Sequence, residues 1–308
     1  MDSRLTGPRF EISFAAEGYP DAFACAPNPP ACLYGVGDVA ALREGLAVVG
    51  ARKATPYGES AAKLFAGMAA RRGIPIISGG ARGCDAAAHK AALDAGGLTV
   101  AFLGGGCDRL YPAENRALFQ RIVDGGGAVV SEYPWAMPPK PYMFRMRNRL
   151  IAGLARATLI VEAGLPSGTF STADEALAAN RDVLVVPGSV FSPNSKGANR
   201  LLLEGAIPVV DEESFSGQLD AIFPLTAAEG VQMGFSTRGS DIVLTPLERF
   251  VYDAVRADPM RLEEVAEHAV ADPRFAEMGL TEVVKAVVRL EGKGLVGRFP
   301  DGRFGCGK

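Results

Sequence analysis

Short apolar runs that end in glycine or serine alternate with stretches of helical period along most of this chain. Leu46-Ala-Val-Val-Gly50 is followed by a helical pattern from Tyr57 to Arg72, and Ile74-Pro-Ile-Ile-Ser78 by one from Cys84 to about Ala95. Leu98 to Leu103 runs into Gly104-Gly-Gly106 and a helix near Glu114 to Val123. Ala128–Val130, Ala157–Val161 and Val183–Val186 follow, the last two separated by a helix near Phe170 to Asn180. Apolar runs without polar alternation are strands buried on both faces, and the intervening helices make their connections parallel. The pattern predicts an α/β fold, an open, doubly wound, mostly parallel sheet over residues 41–212.

The flanks read differently. Residues 1–40 are irregular and rich in Pro and Ala, with Tyr19-Pro20 and the run Ala26–Pro30, and are expected to be an extended lead-in packing on the main domain. Residues 213–245 carry Glu, Ser, Gly and Thr without sustained period and read as a linker. From Pro246 to Lys308 come helical patterns at Leu247–Val255, near Leu262–His268 and near Thr281–Leu290, then two short strands about a turn at Asp301-Gly302. Three helices and a hairpin make a small winged-helix-like domain. Between 241 and 308 twelve acidic residues face ten basic ones, so protein contact and groove reading both stay open for it.

Composition narrows the classes. Hydrophobic residues at 48%, charged residues at 22% and a net charge of -3 describe an ordinary globular chain and exclude a generally basic nucleic-acid coat protein. No apolar run spans a bilayer and Met1–Phe10 has no signal-peptide core, so a cytoplasmic location without membrane contact is expected. Cys25, Cys32, Cys84, Cys107 and Cys306 form no CxxC pair and read as reduced thiols. With His89 and His268 the sole histidines, no metal and no cofactor are expected.

In a doubly wound sheet, ligands bind outside the carboxyl ends of the strands. Those ends carry Gly50, Arg52 and Lys53, then Ser78-Gly79-Gly80-Ala-Arg82-Gly83-Cys-Asp85, then Gly104 to Arg109, then Glu162 to Thr169 with Ser167-Gly168-Thr169. Glycines admit close backbone approach and helix N-termini offer unpaired N–H groups, so four such turns on one edge predict an anion pocket. Arg52 suits a phosphate clamp, or alternatively an ion pair with an acid such as Asp85. Between Tyr133 and Val161 stand Lys140, Arg145, Arg147, Arg149 and Arg156 with no acid. Tyr142 and Phe144 interleave with these charges, as single-stranded nucleic acid requires: cations for phosphates and flat faces for bases. The plain alternative is a solvated helix start. Arg149 is expected to open a helix and hold the pocket together.

Nucleotide-hydrolysis and dinucleotide fingerprints are absent. Ser78, Asp85 and His89 supply the residue types of a hydrolase triad, but Asp85 and His89 stand at i and i+4 of one helix. Asp85 is therefore expected to orient the imidazole or cap the helix, and Ser78 is not on a nucleophile elbow.

The segments Val49–Gly58, Ser78–His89, Gly105–Asn115, Ser131–Pro134, Phe144–Leu154, Glu162 with Ser167–Thr169, Val186–Gly188 and Gly197–Leu202 occur in the order found in the DprA/Smf family, which the chain resembles from about residue 19 to 210. That resemblance implies an extended Rossmann-like fold and a non-enzymatic protein of natural transformation. Such a protein binds and protects single-stranded DNA, forms a homodimer and helps load the RecA recombinase. Carried onto this chain, it implies DNA contacts from Gly50, Arg52, the Ser78–Gly83 turn, Lys140, Phe144, Arg147, Asn148, Arg149 and Ser167–Thr169, with Asp85, His89 and Glu162 as support. Cys84 replaces an aliphatic residue of the family pattern, and Arg145 a proline. Many relatives carry an N-terminal helical module; it is not expected within this sequence, either because this branch lacks it or because the sequence is trimmed. The rival is a nucleotide phosphoribohydrolase of the lysine-decarboxylase-like group. Its Pro-Gly-Gly-x-Gly-Thr-x-x-Glu run would here be Gly164 to Thr172, with Thr172 where the glutamate belongs.

Overall fold

A computed structural model describes residues 4–24, 28–165, 167–224, 244–257, 260–272, 274–275, 279–292, 296–298 and 303–306. Part of the Ala26–Pro30 run, Cys25, Pro166, most of the proposed linker and the Asp301-Gly302 turn lie outside them. The chain divides into two units, residues 1–226 and 227–308.

The first unit is built on a nine-stranded sheet. Its strands are β1 (Arg9–Ser13), β2 (Cys32–Gly37), β3 (Gly45–Val49), β4 (Ile76–Ser78), β5 (Thr99–Phe102), β6 (Ala128–Ser131), β7 (Ala155–Ile160), β8 (Asp182–Val185) and β9 (Ile207–Pro208), in spatial order β1-β2-β6-β5-β4-β3-β7-β8-β9. The seven strands from β6 across to β9 are parallel, as the apolar runs predict. Successive residues of β3 point to opposite layers. Ala47 and Val49 pack with helices α5 (Pro141–Leu154), α6 (Thr169–Ala178) and α7 (Lys196–Leu203). Leu46 and Val48 pack with α2 (Pro56–Arg71), α3 (Cys84–Asp94) and α8 (Glu212–Ile222). A two-residue period buried on both faces is what makes these runs continuously apolar.

Strand order decides where a crevice opens. From β3 the chain steps outward through β4, β5 and β6, then returns to place β7 on the other side of β3. The carboxyl ends of β3 and β7 therefore flank a topological switch point, where the following loops diverge.

Two stretches depart from the sequence reading. Residues 1–40 are not simply an irregular lead-in: β1 and β2 add an antiparallel edge, with Arg9 opposite Val36 and Tyr34 opposite Ser131. The stretch assigned to a linker from 213 begins with α8, whose Asp211 accepts from the Ser214 amide at 2.7 Å in a capping box. Phe215 and Leu219 of α8 are buried in the core of this unit. Among the described residues no helix is long and apolar enough to cross a membrane.

The second unit contains α9 (Pro246–Ala257), α10 (Leu262–Ala271), α11 (Leu280–Gly292) and an antiparallel pair, β10 (Val296–Arg298) and β11 (Phe304–Cys306). Val251, Val255, Val265, Val283, Val287 and Leu290 form its core. Both α11 cations meet acids of the same unit, Lys285 at 2.7 Å from Glu282 and Arg289 at 3.9 Å from Glu248.

Candidate nucleic-acid interface

At the switch point lies a cleft of about 630 Å³, in the size range of a nucleotide-sized ligand. Gly50, Ala51, Arg52 and Lys53 reach it from the end of β3, Gly164 and Ser167–Thr169 from the loop after β7, and Pro141, Phe144, Arg145, Arg147 and Asn148 from α5. Two helix N-termini converge here. Lys140 precedes α5, whose first residue is Pro141, and Gly168 precedes α6, whose Thr169 amide donates to the Ser167 hydroxyl at 3.2 Å. Their dipoles favour an anion in the cleft.

Close approach is built in by glycines. A side chain at Gly104 would run into the Phe144 ring, at 2.6 Å from Cδ1, so this glycine lets the ring lie against the end of β5. Gly83 sits at φ +70 just before α3, where a Cβ would strike the carbonyl of Ala51. Over the Phe144 ring lies the Arg52 guanidinium, its Cζ 5.3 Å from the centroid, a cation–π contact that pre-orients an exposed charge. Arg52, Lys53, Lys140 and Arg145 are all exposed and make no side-chain ion pair among the described residues. The alternative of an Arg52–Asp85 ion pair is therefore not realised.

Arg147 forms the floor and is 4% exposed. Its guanidinium donates to the carbonyls of Gly79 and Phe102 at the ends of β4 and β5. Burial lowers its pKa to about 10, against the raising effect of Asp85, so it stays charged at neutral pH. The Asp85 carboxylate accepts from the Gly79 and Ala81 amides at 3.2 and 3.3 Å. Burial raises its pKa, and Arg147, these amides and Arg52 oppose that shift. Asp85 thus holds the glycine turn under the cleft and does not orient His89. The His89 ring instead meets the Thr99 hydroxyl at 2.7 Å, and burial holds its pKa down at about 3, so it is neutral.

Most other expected contacts lie off the cleft. Ser78 is buried and its hydroxyl donates to the Val48 carbonyl at 2.6 Å. Gly79 and Gly80 are buried against Arg147 and Phe119, and Arg82 pairs with Glu114. Arg149 lies in the body of α5 and does not open a helix; it pairs with Glu132 and donates to the Asn28 carbonyl at 2.9 Å. Asn148 lines the cleft while binding the Ser171 hydroxyl at 2.7 Å, which ties α5 to α6. Glu162 accepts from the Thr55 amide at 2.9 Å and its hydroxyl at 2.7 Å, fastening the start of α2. Arg156 belongs to a separate cluster with Glu44. Tyr111, Thr172 and Asn194 line the cleft but carry no assignment in the sequence reading. Of these Tyr111 had a legible signal, an aromatic inside the Gly105–Asn115 segment that follows a strand end.

An α/β protein with a partly cationic cleft at the switch point of its sheet is the class these features define. The family model for DNA recombination-mediator protein A matches residues 11–220, and the chain belongs to that family. It is similar to Protein Smf of Escherichia coli (strain K12), with 42% identity over 199 residues, which cover 64% of this chain and 53% of that protein. The matched region thus spans about half the length of that curated relative. Among solved structures it is similar to DNA processing protein A from Streptococcus pneumoniae, at 34% identity and TM-score 0.63, covering 69% of this chain and 74% of that one. It also resembles DNA processing protein A from Helicobacter pylori, described for its single-stranded DNA binding mode. There identity is 32% and TM-score 0.64, over 71% of this chain and 98% of that one.

Proposed function

We propose that this protein binds single-stranded DNA in the switch-point cleft and acts as a non-catalytic recombination mediator. In this role it protects incoming strands during natural transformation, helps load RecA and works as a homodimer in the cytoplasm. The observation that carries the reading is Arg52 lying over Phe144 beside Lys53 and Arg145, cations with no acid partner at a cleft that also offers an aromatic face, with the unpaired Lys140 next in the chain to the cleft-lining Pro141. Phosphates meet charge and helix N-termini, while bases meet the ring, so binding is sequence-independent and salt-sensitive. Single-stranded DNA binding in the Helicobacter pylori relative supports the same ligand. The second unit is read as a winged-helix domain; pairing of Lys285 and Arg289 within it favours protein contact over groove reading.

The phosphoribohydrolase alternative needs a carboxylate free to work on a bound nucleotide. Both oxygens of Glu162 are engaged by Thr55, which supports the binding role instead. Titration of oligonucleotide at two salt concentrations tests the proposal. Arg52→Ala and Lys140→Ala should each weaken binding and lower the slope of log affinity against log salt by about 0.7, one single-strand phosphate. Unchanged affinity and slope in both variants would sink the assignment.

A further inference from the structure

Tyr111 is 47% exposed, and its ring centroid lies 5.3 Å from that of Phe144 at an interplanar angle of 53°. Held tilted against a ring that already carries Arg52, it offers a flat surface of its own to solvent. Residues on its N-terminal side belong to a second cavity of about 280 Å³, lined by Asp108, Arg109, Leu110, Ala113, Arg116 and Pro139. The two cavities abut. Tyr111 and Pro141 line the first, Leu110 and Pro139 the second, and Lys140 alone separates the two prolines along the chain. With 3.8 Å between consecutive Cα atoms, the dividing ridge is one or two residues thick.

Acids near this ridge are already matched. Asp108 takes Arg9 at 2.9 Å, and the Arg9 guanidinium is itself held 3.8 Å over the Trp135 ring. Glu114 takes Arg82. Neither of these arginines lines the second cavity, whereas Arg109 does, exposed and with no side-chain ion pair among the described residues. The second cavity is therefore left with positive charge beside an exposed aromatic, the same pairing that marks the cleft.

We propose that Tyr111 is a second base-stacking face and Arg109 a phosphate contact beyond it, so that one strand runs from the cleft across the Tyr111–Lys140 ridge into the neighbouring cavity. This rests on the single-stranded DNA reading of the cleft. Stacking needs unpaired bases and the anchor needs a phosphate, and the two requirements are separable by experiment.

The full chain is titrated with a fluorescent oligothymidylate and with an abasic strand of the same length, at two salt concentrations. Tyr111→Ala should weaken oligothymidylate binding about 5- to 150-fold, the range of one lost base stack, and leave the abasic strand unaffected. Tyr111→Phe, which keeps the ring, should restore it. Arg109→Gln should lower the salt slope by about 0.7 with both strands. If Arg52→Ala weakens binding while Tyr111→Ala and Arg109→Gln match the parent, the extended track is wrong and the cleft assignment survives. If Arg52→Ala and the parent bind alike, both fall. Loss of binding by Tyr111→Phe equal to that of Tyr111→Ala would overturn the stacking role.

Discussion

Replacing Arg147 by methionine removes the charge under the cleft while keeping a long, unbranched side chain in the same space. The change strands the Gly79 and Phe102 carbonyls, each of which now accepts from the guanidinium. It also takes the nearby cation from Asp85, a buried carboxylate. An unsatisfied buried acceptor costs about 1–3 kcal/mol, and two are left. Asp85 is not in ion-pair contact with Arg147, keeps its two backbone donors and relieves itself by taking a proton, so losing the cation adds less than breaking a buried ion pair would. A loss of about 4 kcal/mol is expected at neutral pH, a fall of about 1–2 M in the urea midpoint. The sequence has one tryptophan, Trp135, packed against Arg9 and Tyr34, so its fluorescence reports on the first unit.

The pH dependence sharpens the test. Burial raises the Asp85 pKa above its unfolded value of 3.8, so stability is fully present below that value and is lost as pH rises through the folded pKa. Arg147 opposes the rise, and without it the folded pKa climbs further. The destabilisation should therefore be smaller near pH 4 than near pH 8. A midpoint within about 0.3 M of the parent, or a loss equal at both pH values, would refute the Arg147–Asp85 floor.

Gly83→Ala should cost about 1–3 kcal/mol, because φ is +70 and the added Cβ meets the Ala51 carbonyl, and it should weaken oligonucleotide binding by shifting Arg52; urea unfolding and titration measure the two effects. Glu162→Gln should lower stability by about 1–2 kcal/mol through weaker bonds to Thr55, and no free base should be released from nucleoside monophosphates; robust turnover lost in this variant would favour the hydrolase. Burial holds His89 at about 3 in the fold, against an ordinary value of 6.5. Stability should fall as pH drops from 6.5 toward 3, and His89→Gln should flatten that slope by about 1.4 kcal/mol per pH unit, readable in urea midpoints at successive pH values.

The sequence alone determined the parallel strands and pointed to the sheet edge at which the cleft opens. Runs such as Leu46–Val49 and Val183–Val186, short and closed by glycine or proline, read as doubly covered strands; Gly50 and Gly104 follow strand ends and Gly83 precedes α3, where an added Cβ would collide with its neighbours. Two elements were legible and escaped: Phe10 and Ile12 alternate with polar residues in β1, and Asp211, Phe215, Leu219 and Ile222 have the cap and spacing of α8. Tertiary structure decided how the cationic island divides. On one helix, at about 100° per residue, Arg147 stands about 200° round from both its neighbours and goes beneath the cleft, while Arg145 and Arg149 share a face one turn apart, where Arg145 lines the cleft and Arg149 is taken by Glu132. No local pattern distinguishes three arginines spaced two apart. What separates them is which carbonyls and acids the neighbouring strands and loops bring to each side of the helix, and that is fixed only when the sheet assembles.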